Sequence, residues 1–288
     1  MRFTKMQAYG NDYVYIEIIT QKMENPPTWA RFVSDRHFGV GSDGMILICP
    51  SEKAEFGMRV FNPDGSEAEM CGNALRSVAK YVYAKGFTNK TDFSIETIGG
   101  IKKLHLDVEN NNKVVMITAE LGAPGLYHKI VPTTAHNSEG RCIDYPIEVE
   151  GRTFYITAVS MGNPHCVAFV DDVMSLDLQK YGSAIECHPY FPQKINVEFA
   201  QVIDKNNALL RTWERNCGET LACGTGCCVT TIGGFLTSRL SNEVTVHQLG
   251  GDIQIKWDTK NDNIFMSGKS EIVFDGEIEN NIILEDTI

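Results

Sequence analysis

Short runs of apolar and β-branched residues alternate with polar, glycine-containing segments along most of the chain, which predicts many β-strands. The predicted strands are residues 13–18, 45–49, 58–61, 113–119, 153–159, 166–170 and 209–213. One segment instead has helical spacing of its apolar residues, which are Leu75, Val78, Ala79 and Val82. Gly86 then supplies a helix stop. The pattern predicts an α/β protein with a helix that begins near Gly72.

The chain contains an internal repeat. Cys71-Gly72 recurs as Cys223-Gly224, 152 residues later, and the same offset takes Asn11 to Asn163. A repeat of this length predicts two copies of one α/β unit. It also predicts a second helix from about residue 224 to about residue 240, although two adjacent glycines at 233 and 234 disfavour it. Gly, Ala and Pro at 122–127 predict the boundary between the copies, with the ligand bound between them.

Composition narrows the classes of partner. The chain has 288 residues and a formal net charge of -11. This charge disfavours nucleic acid and anionic membrane surfaces as partners. We find no run of the roughly 20 apolar residues that a membrane span requires and no signal peptide, so we expect a cytoplasmic location. The nine cysteines are then expected to be reduced thiols. The sequence leaves the oligomeric state open, with a homodimer among the alternatives.

Cys71 and Cys223 each precede a predicted helix, where unpaired N–H groups and the helix dipole lower the pKa of a thiol. The same N–H groups can bind a carboxylate. Two such helix starts around one α-carbon would suit stereoinversion, in which one sulfur removes a proton and the other supplies one to the opposite face.

The remaining cysteines fit plainer roles. We predict small buried hydrophobic roles for Cys49, Cys142, Cys166, Cys187, Cys227 and Cys228. The spacing of Cys217, Cys223, Cys227 and Cys228 lacks the paired pattern of structural zinc sites, which disfavours a metal.

Several longer motifs resemble the diaminopimelate epimerase family, and the likeness runs through nearly the whole chain. The motifs are Gly10-Asn11-Asp12-Tyr13, residues 39–44, residues 62–66, residues 70–73, residues 160–165, Asn196-Val197-Glu198-Phe199, Trp213-Glu214-Arg215 and residues 218–226. The resemblance implies an α/β (α+β) fold of two pseudo-symmetric domains, each a barrel-like sheet around a central helix. We expect these domains to be residues 1–122 with 270–288, and residues 123–269.

The resemblance also implies an activity, the interconversion of LL- and meso-diaminopimelate for lysine and peptidoglycan synthesis. Neither pyridoxal phosphate nor a metal is implied as a cofactor. By motif, Cys71 and Cys223 are the acid/base thiols, and His165 and Glu214 support them. The groups implied to hold the substrate are Asn11, Asn62, Gly72, Asn73, Asn163, Asn196, Glu214, Arg215, Gly224 and Thr225.

Some positions depart from the family pattern. Gln7 stands where histidine is common, Gly44 where some members carry a substrate-contacting glutamine, and Leu75 where glycine is frequent. Asn216-Cys217 replaces a small Gly-Ala pair beside Arg215, which leaves the exact substrate open.

The asparagines and the Glu214-Arg215 pair are also compatible with purely structural roles. Asparagines beside glycine or proline often only form turns, and Glu214-Arg215 could be an ion pair. Glu67 and Glu219 are expected to have structural roles only. The functional alternatives are a racemase of the same fold that acts on histidine, lanthionine or a proline derivative, and a non-catalytic amino-acid-binding protein.

Overall fold

The computed structural model of the protein describes residues 1–68 and 70–279. The chain divides into two compact units, one formed by Met1–Ala119 with the segment from Gly268 onward, the other by Glu120–Ser267. Residues 280–288, which were expected to belong to the first domain, lie outside the described residues.

Both units are built from strands and helices of similar length. In chain order the strands are β1 (Arg2–Ala8), β2 (Asn11–Glu17), β3 (Met45–Cys49), β4 (Phe56–Phe61), β5 (Glu67–Ala68), β6 (Asp92–Thr97), β7 (Gly100–Val108), β8 (Val114–Gly122), β9 (Tyr145–Val149), β10 (Arg152–Ser160), β11 (Pro164–Phe169), β12 (Asn196–Asp204), β13 (Asn207–Glu214), β14 (Gly218–Thr220), β15 (Glu243–Gln248), β16 (Gly251–Asp258), β17 (Asn263–Gly268) and β18 (Glu271–Glu277). The helices are α1 (Pro26–Ser34), α2 (Gly72–Ala84), α3 (Leu178–Glu186) and α4 (Gly224–Leu236).

The first unit contains a mixed sheet. Strand β1 pairs antiparallel with both β18 and β2, β2 runs parallel to β3, and β3 is antiparallel to β4. Strand β4 pairs with the short β5 and runs parallel to β6, which continues antiparallel through β7 to β8. Helix α2 packs on β1, β2 and β7. Its residues from Asn73 to Val82 are all buried, so the sheet covers this helix on most sides.

The second unit repeats this topology strand by strand. The order β9, β10, β11, β12, β13 has the same parallel and antiparallel pairs as β18, β1, β2, β3, β4. Strand β13 then pairs with the short β14 and runs parallel to β15, which leads antiparallel through β16 to β17. Helix α4 contacts six of these strands, β10 to β13, β15 and β16, and is the central helix of the unit.

The repeat predicted from the sequence is present in the helices as well. Helices α2 and α4 are both 13 residues long and begin at Gly72 and Gly224, 152 residues apart. Helices α1 and α3 are both nine residues long and begin at Pro26 and Leu178, at the same offset. The predicted strands and the helix ended by Gly86 are confirmed, whereas α1 and α3 were not predicted.

The end of α4 differs from the expectation. The helix stops at Leu236 rather than near Leu240, because Ser238 has a left-handed backbone (φ 58°) and the chain turns back. The N–H of Leu240 then donates to the carbonyl of Gly234. A Cβ on Gly234 would lie 2.5 Å from the Leu240 side chain. This close packing explains why glycine is present in a helix that its propensity disfavours.

The predicted roles of the remaining cysteines are largely confirmed. Four of them are buried, namely Cys142, Cys166, Cys227 and Cys228. Cys49 is partly buried, and Cys187, which follows the last residue of α3, is exposed. The prediction for Cys187 is therefore wrong. Among the described residues, no helix is long and apolar enough to span a bilayer.

Candidate active site

Cys71 is the residue immediately before α2. Its backbone is extended (φ -134°, ψ 117°), and its carbonyl accepts a hydrogen bond of 2.9 Å from the N–H of Leu75. The thiol therefore lies at the positive end of the helix dipole, next to N–H groups that the helix itself does not bond. The residue is only partly buried, so a ligand can reach it.

Asn11 links Cys71 to Asn73. The Cys71 Sγ donates to Oδ1 of Asn11 at 3.7 Å, and Nδ2 of Asn73 donates to the same oxygen at 3.3 Å. Nδ2 of Asn11 donates to the Asp43 carboxylate at 2.9 Å, which directs the amide oxygen toward the sulfur. The carboxylate is in turn paired with Arg36 at 2.9 Å. The structure thus brings together three of the predicted residues, Asn11, Cys71 and Asn73.

Asn73 is fixed from its other side by a buried cation. Its Oδ1 accepts from Nη2 of Arg76 at 2.6 Å, and Arg76 is fully buried one turn further along α2. Hydrogen bonds from a charged donor are stronger than neutral ones. The orientation of the Asn73 amide is therefore strongly determined.

Tyr13, on β2, also belongs to this group of side chains, although no role was predicted for it. It is buried, and its hydroxyl lies near Cys71 and Asn11. Negative charge on Cys71, followed by burial, raises the pKa of Tyr13 well above its ordinary value, so the hydroxyl stays protonated. The repeat contains the signal that could have identified it, since Tyr13 precedes His165 by 152 residues.

Cys223 occupies the equivalent position before α4, with an equally extended backbone (φ -128°, ψ 106°). The N–H of Gly226 donates to Sγ at 3.4 Å, and the Thr225 hydroxyl lies 3.5 Å from it. The residue is buried, unlike Cys71. Gly224 and Thr225 open the helix, where N–H groups that the helix itself does not bond can meet a carboxylate.

The expectation that the helix start lowers the pKa of this thiol is wrong. Burial, and then the negative charges of Glu214 and Glu198, raise the pKa of Cys223 well above its ordinary value. The hydrogen bonds from Thr225 and Gly226 oppose this shift without overcoming it. Cys223 is therefore a neutral thiol at neutral pH, suited to donate a proton.

His165 and Glu198 form a buried pair beside Cys223. Nδ1 of His165 lies 2.8 Å from Oε1 of Glu198, and both side chains are 0% exposed. No described residue hydrogen-bonds His165 Nε2 or Glu198 Oε2. Ligand atoms of His165, Glu198 and Cys223 all lie within 4.8 Å of one another. The structure thus places His165 beside Cys223, and support of the thiol by His165 stays a prediction.

Glu198 was not assigned a role from the sequence. A carboxylate within the buried run of β12 is a signal that could have identified it, because buried carboxylates need a partner. The sulfur, nitrogen and oxygen donors of this cluster are also ligand types that bind zinc. The absence of a metal cofactor accordingly stays a prediction.

Glu214, at the end of β13, acts on the same sulfur. Its negative charge raises the pKa of Cys223, and its Oε1 accepts a hydrogen bond of 2.7 Å from the Thr220 hydroxyl. The structure therefore brings Glu214 close to Cys223, as the motif implied. The hydroxyl of Thr220 holds the carboxylate in place.

Arg215 and Asn196 are joined through the backbone. Oδ1 of Asn196 accepts the N–H of Arg215 at 2.9 Å, while its Nδ2 donates to the Pro164 carbonyl at 2.8 Å. The Arg215 guanidinium donates to the Gln193 carbonyl at 3.3 Å and is partly exposed. Asn196 thus fixes the backbone of Arg215, the residue that follows the end of β13.

Asn216, one of the departures from the family pattern, has a left-handed backbone (φ 62°), which asparagine tolerates better than most residues. Its Oδ1 accepts from Lys194 at 2.7 Å, and its N–H donates to Glu186 at 2.9 Å. Cys217 is exposed. Glycine in the family pattern satisfies the same backbone requirement.

The remaining departures are accommodated by local contacts. Gln7 accepts the N–H of Gly10 at 3.0 Å, and Leu75 is fully buried in α2. A Cβ on Gly44 would lie 2.4 Å from the Phe61 carbonyl oxygen. Gly44 also has φ 154°, so a side chain there would be strained.

Asn62 and Asn163 lie in turns. Nδ2 of Asn62 donates to the Ser66 hydroxyl at 2.9 Å, and the carbonyl of Asn163 accepts the N–H of Met161 at 3.2 Å. Neither hydrogen bond reaches a cysteine, so a contact of these residues with substrate stays a prediction.

Glu67 and Glu219 hold the short strands β5 and β14 by equivalent ion pairs. Glu67 is paired with Arg59 at 2.7 Å and Glu219 with Arg211 at 2.8 Å. These contacts support their structural roles.

The sequence is similar throughout to known proteins. A family model described as diaminopimelate epimerase matches residues 3–124 and 157–273. The diaminopimelate epimerase of Methanococcus maripaludis strain C5 is 48% identical over 279 residues, which cover 97% of this chain and 100% of that protein. The protein of the same name from Acetivibrio thermocellus is 47% identical over 281 residues, 98% of this chain and 99% of its own. The chain belongs to the diaminopimelate epimerase family.

Solved structures with low sequence identity have the same fold. A Bacillus anthracis phenazine biosynthesis protein of the PhzF family aligns with a TM-score of 0.68 at 17% identity, covering 97% of this chain and 99% of that one. A probable proline racemase from Agrobacterium radiobacter aligns with a TM-score of 0.70 at 12% identity, covering 97% and 93%. The predicted family, the diaminopimelate epimerase-like fold and the epimerase function, and with it the isomerase class, are thereby confirmed.

Proposed function

We propose that this member of the diaminopimelate epimerase family inverts one α-carbon of diaminopimelate and so interconverts the LL and meso forms, with Cys71 and Cys223 as the acid/base pair. The observation that carries the proposal is that each repeat presents a cysteine directly before a 13-residue helix, with the same extended backbone. Two separate half-sites with the same backbone design suit a reaction that treats the two faces of one carbon alike.

The proposed reaction needs one of these two sulfurs as a thiolate and the other as a thiol. The Cys71 thiolate takes the α-proton, and the electron pair left on carbon is delocalised into the adjoining carboxylate. The Cys223 thiol then donates its proton to the opposite face, so that Cys71 ends as a thiol and Cys223 as a thiolate. In the reverse reaction the two cysteines exchange roles, which makes the mechanism reversible without a cofactor.

The first turns of the two helices stabilise the carboxylate in this proposal. Gly72 with Asn73, and Gly224 with Thr225, supply N–H groups where negative charge develops in the transition state, an effect that is large in a site from which water is excluded. Asn11 holds the Cys71 side, while His165 and Glu214 support the Cys223 thiol. The raised pKa of Cys223 favours its role as the donor in the first direction.

The distal amino-carboxylate end is assigned to Arg215, Asn196, Asn62 and Asn163. A guanidinium has five N–H donors in a planar fork, which suits a carboxylate. Among the described residues, the hydrogen bond of Arg215 to Gln193 uses one nitrogen, and a bidentate contact can still form. Arg215 therefore favours a substrate with a second carboxylate over proline or histidine.

One experiment separates the proposed function from its two alternatives, a racemase of another amino acid and a non-catalytic amino-acid-binding protein. The purified, reduced protein is incubated in deuterated water with LL-diaminopimelate, meso-diaminopimelate, lanthionine, histidine and proline, and α-deuterium uptake is measured by mass spectrometry. We expect uptake and inversion with diaminopimelate. Exchange with another amino acid alone would support a different racemase, and binding without any exchange would support a binding protein.

A homodimer and a cytoplasmic location are part of the same proposal. Size-exclusion chromatography with light scattering tests the first, and a single species at the mass of one 32.1 kDa chain would contradict it. Fractionation of cells that express the protein tests the second, with recovery in the membrane fraction as the contrary result.

A further inference from the structure

Tyr13 lies near Cys71 but takes no part in the proposed reaction. It takes the place in the first repeat that His165 takes in the second, at the 152-residue offset that relates the two cysteines. His165 hydrogen-bonds with the buried carboxylate of Glu198 beside Cys223. In the first unit, residue 46, which corresponds to Glu198, is isoleucine. The two half-sites therefore support their sulfurs with different chemistry.

The Tyr13 ring is held tightly. Its Cε1 lies only 2.8 Å from where a Cβ on Gly44 would be, so the ring packs directly on the backbone at that position. On another side it meets the ring of Tyr15 edge to face, with centroids 6.4 Å apart. The side chain is 8% exposed. The hydroxyl thus has little freedom and lies near Cys71 and Asn11.

The hydrogen bonds around Cys71 suit two protonation states of its sulfur. As a thiol, the sulfur donates to Oδ1 of Asn11. As a thiolate it can only accept, and Asn11 presents an oxygen because Asp43 holds its amide nitrogen. Tyr13 is a donor in the right place, and its hydroxyl keeps its proton while the sulfur is negative. A hydrogen bond to a charged acceptor is stronger than one to a neutral acceptor.

We propose that Tyr13 is the positioning residue of Cys71, donating its hydroxyl hydrogen bond to the thiolate and so holding this sulfur ready as the base. The inference rests on the proposed function, because it explains how one of the two proposed acid/base thiols is kept in its basic form. The other charged or titratable groups around Cys71 and Asn11 include Tyr15, the buried Arg76, and two aspartates with their partners. Asp12 is paired with Lys5 and Arg36, and Asp43 is paired with Arg36.

The test uses the reactivity of Cys71 rather than turnover. In a Cys223→Ala background, the rate at which iodoacetamide modifies Cys71 is followed by peptide mass spectrometry across the titration range of thiols, about pH 6 to 10. Loss of a hydrogen bond to a charged group typically corresponds to about one to two pKa units. We therefore expect Tyr13→Phe to move the midpoint of modification upward by about that amount.

Tyr15→Phe is the matched control. It removes the same hydroxyl from a tyrosine that is 1% exposed on the same strand, and we expect no comparable shift. Tyr13→His introduces histidine, the residue found at the equivalent position 165. We expect its midpoint of Cys71 modification to lie between those of the unmodified residue and Tyr13→Phe. Should Tyr13→Phe fail to fold, replacement of Tyr13 by difluorotyrosine, a stronger donor, is expected to lower the midpoint in an intact fold.

An unchanged midpoint in Tyr13→Phe, or a shift equal to that of Tyr15→Phe, would overturn the inference. The proposed function fails by a different result, namely the absence of α-deuterium uptake from diaminopimelate by the unmodified protein. Because alkylation requires no substrate, the two failures are distinguishable.

Discussion

The negative charge of Glu198 should control how readily Cys223 gives up its proton. Glu198→Gln removes this charge while it retains an oxygen that can accept the hydrogen bond from His165. Ligand atoms of Glu198 and Cys223 lie within 4.8 Å. At an effective dielectric constant of about 20, two unit charges at that distance repel by about 3.5 kcal/mol, or about 2.5 pKa units.

The hydrogen bond of Glu198 with His165 offsets part of this charge and so reduces the change in pKa. We expect the pKa of Cys223 to fall by about one to 2.5 units. It should nevertheless stay above its ordinary value, since burial is the largest cause of the upward shift and Glu214 still acts on the sulfur.

An NMR titration of labelled cysteine β-carbons measures this without a reagent that must reach a buried sulfur. The Cys223 resonance is assigned by its absence in Cys223→Ala, and the titration is made in a Cys71→Ala background. Glu219→Gln is the control, because that carboxylate is paired with Arg211. A midpoint that is unchanged or higher in Glu198→Gln would refute the electrostatic argument, and circular dichroism verifies the fold of each variant.

The remaining predictions concern binding, packing and alkaline stability. Arg215→Met should raise the Michaelis constant for diaminopimelate, since truncating one partner of a desolvated charge pair costs about 2 to 5 kcal/mol; an unchanged constant would remove Arg215 from the site. Gly233→Ala should lower the free energy of unfolding in urea by about 1 to 3 kcal/mol, because its Cβ would lie 2.5 Å from Val167, and equal or greater stability would contradict this packing. Burial raises the pKa of Cys142 from 9.0 to about 12, so its contribution to stability is present below pH 9 and is lost as pH rises toward 12. The free energy of unfolding in urea should therefore fall less over this pH range in Cys142→Ala than in the unmodified protein, and an equal fall would contradict this assignment.

The sequence predicted the architecture well because the repeat is carried by short, rigid features. A cysteine and glycine at the start of each central helix, and an asparagine at the start of β2 or just before β11, keep the same offset in the structure. Helices α1 and α3 were missed since they are only nine residues long, and a single helical face of that length is a weak pattern.

Electrostatic detail was not predictable from the chain in the same way. The pKa of Cys223 depends on how deeply the thiol is buried and on two carboxylates, Glu198 on β12 and Glu214 on β13. The local signal, a helix start, favoured the opposite direction. Likewise, the motif Gly10-Asn11-Asp12-Tyr13 assigns no role to Tyr13, and only its relation to His165 through the repeat could have indicated that it lies near Cys71.

The central claim is that each cysteine serves one face of the α-carbon. Cys71→Ala and Cys223→Ala are each given separated LL- and meso-diaminopimelate in deuterated water, and α-deuterium uptake and inversion are followed together. Each variant should lose inversion by about 100- to 10,000-fold, since a positioned acid or base contributes that much. Each should preferentially retain exchange on the one isomer whose α-proton faces the remaining sulfur. A folded variant that inverts at the unmodified rate, or two variants with identical exchange on both isomers, would contradict the two-thiol mechanism.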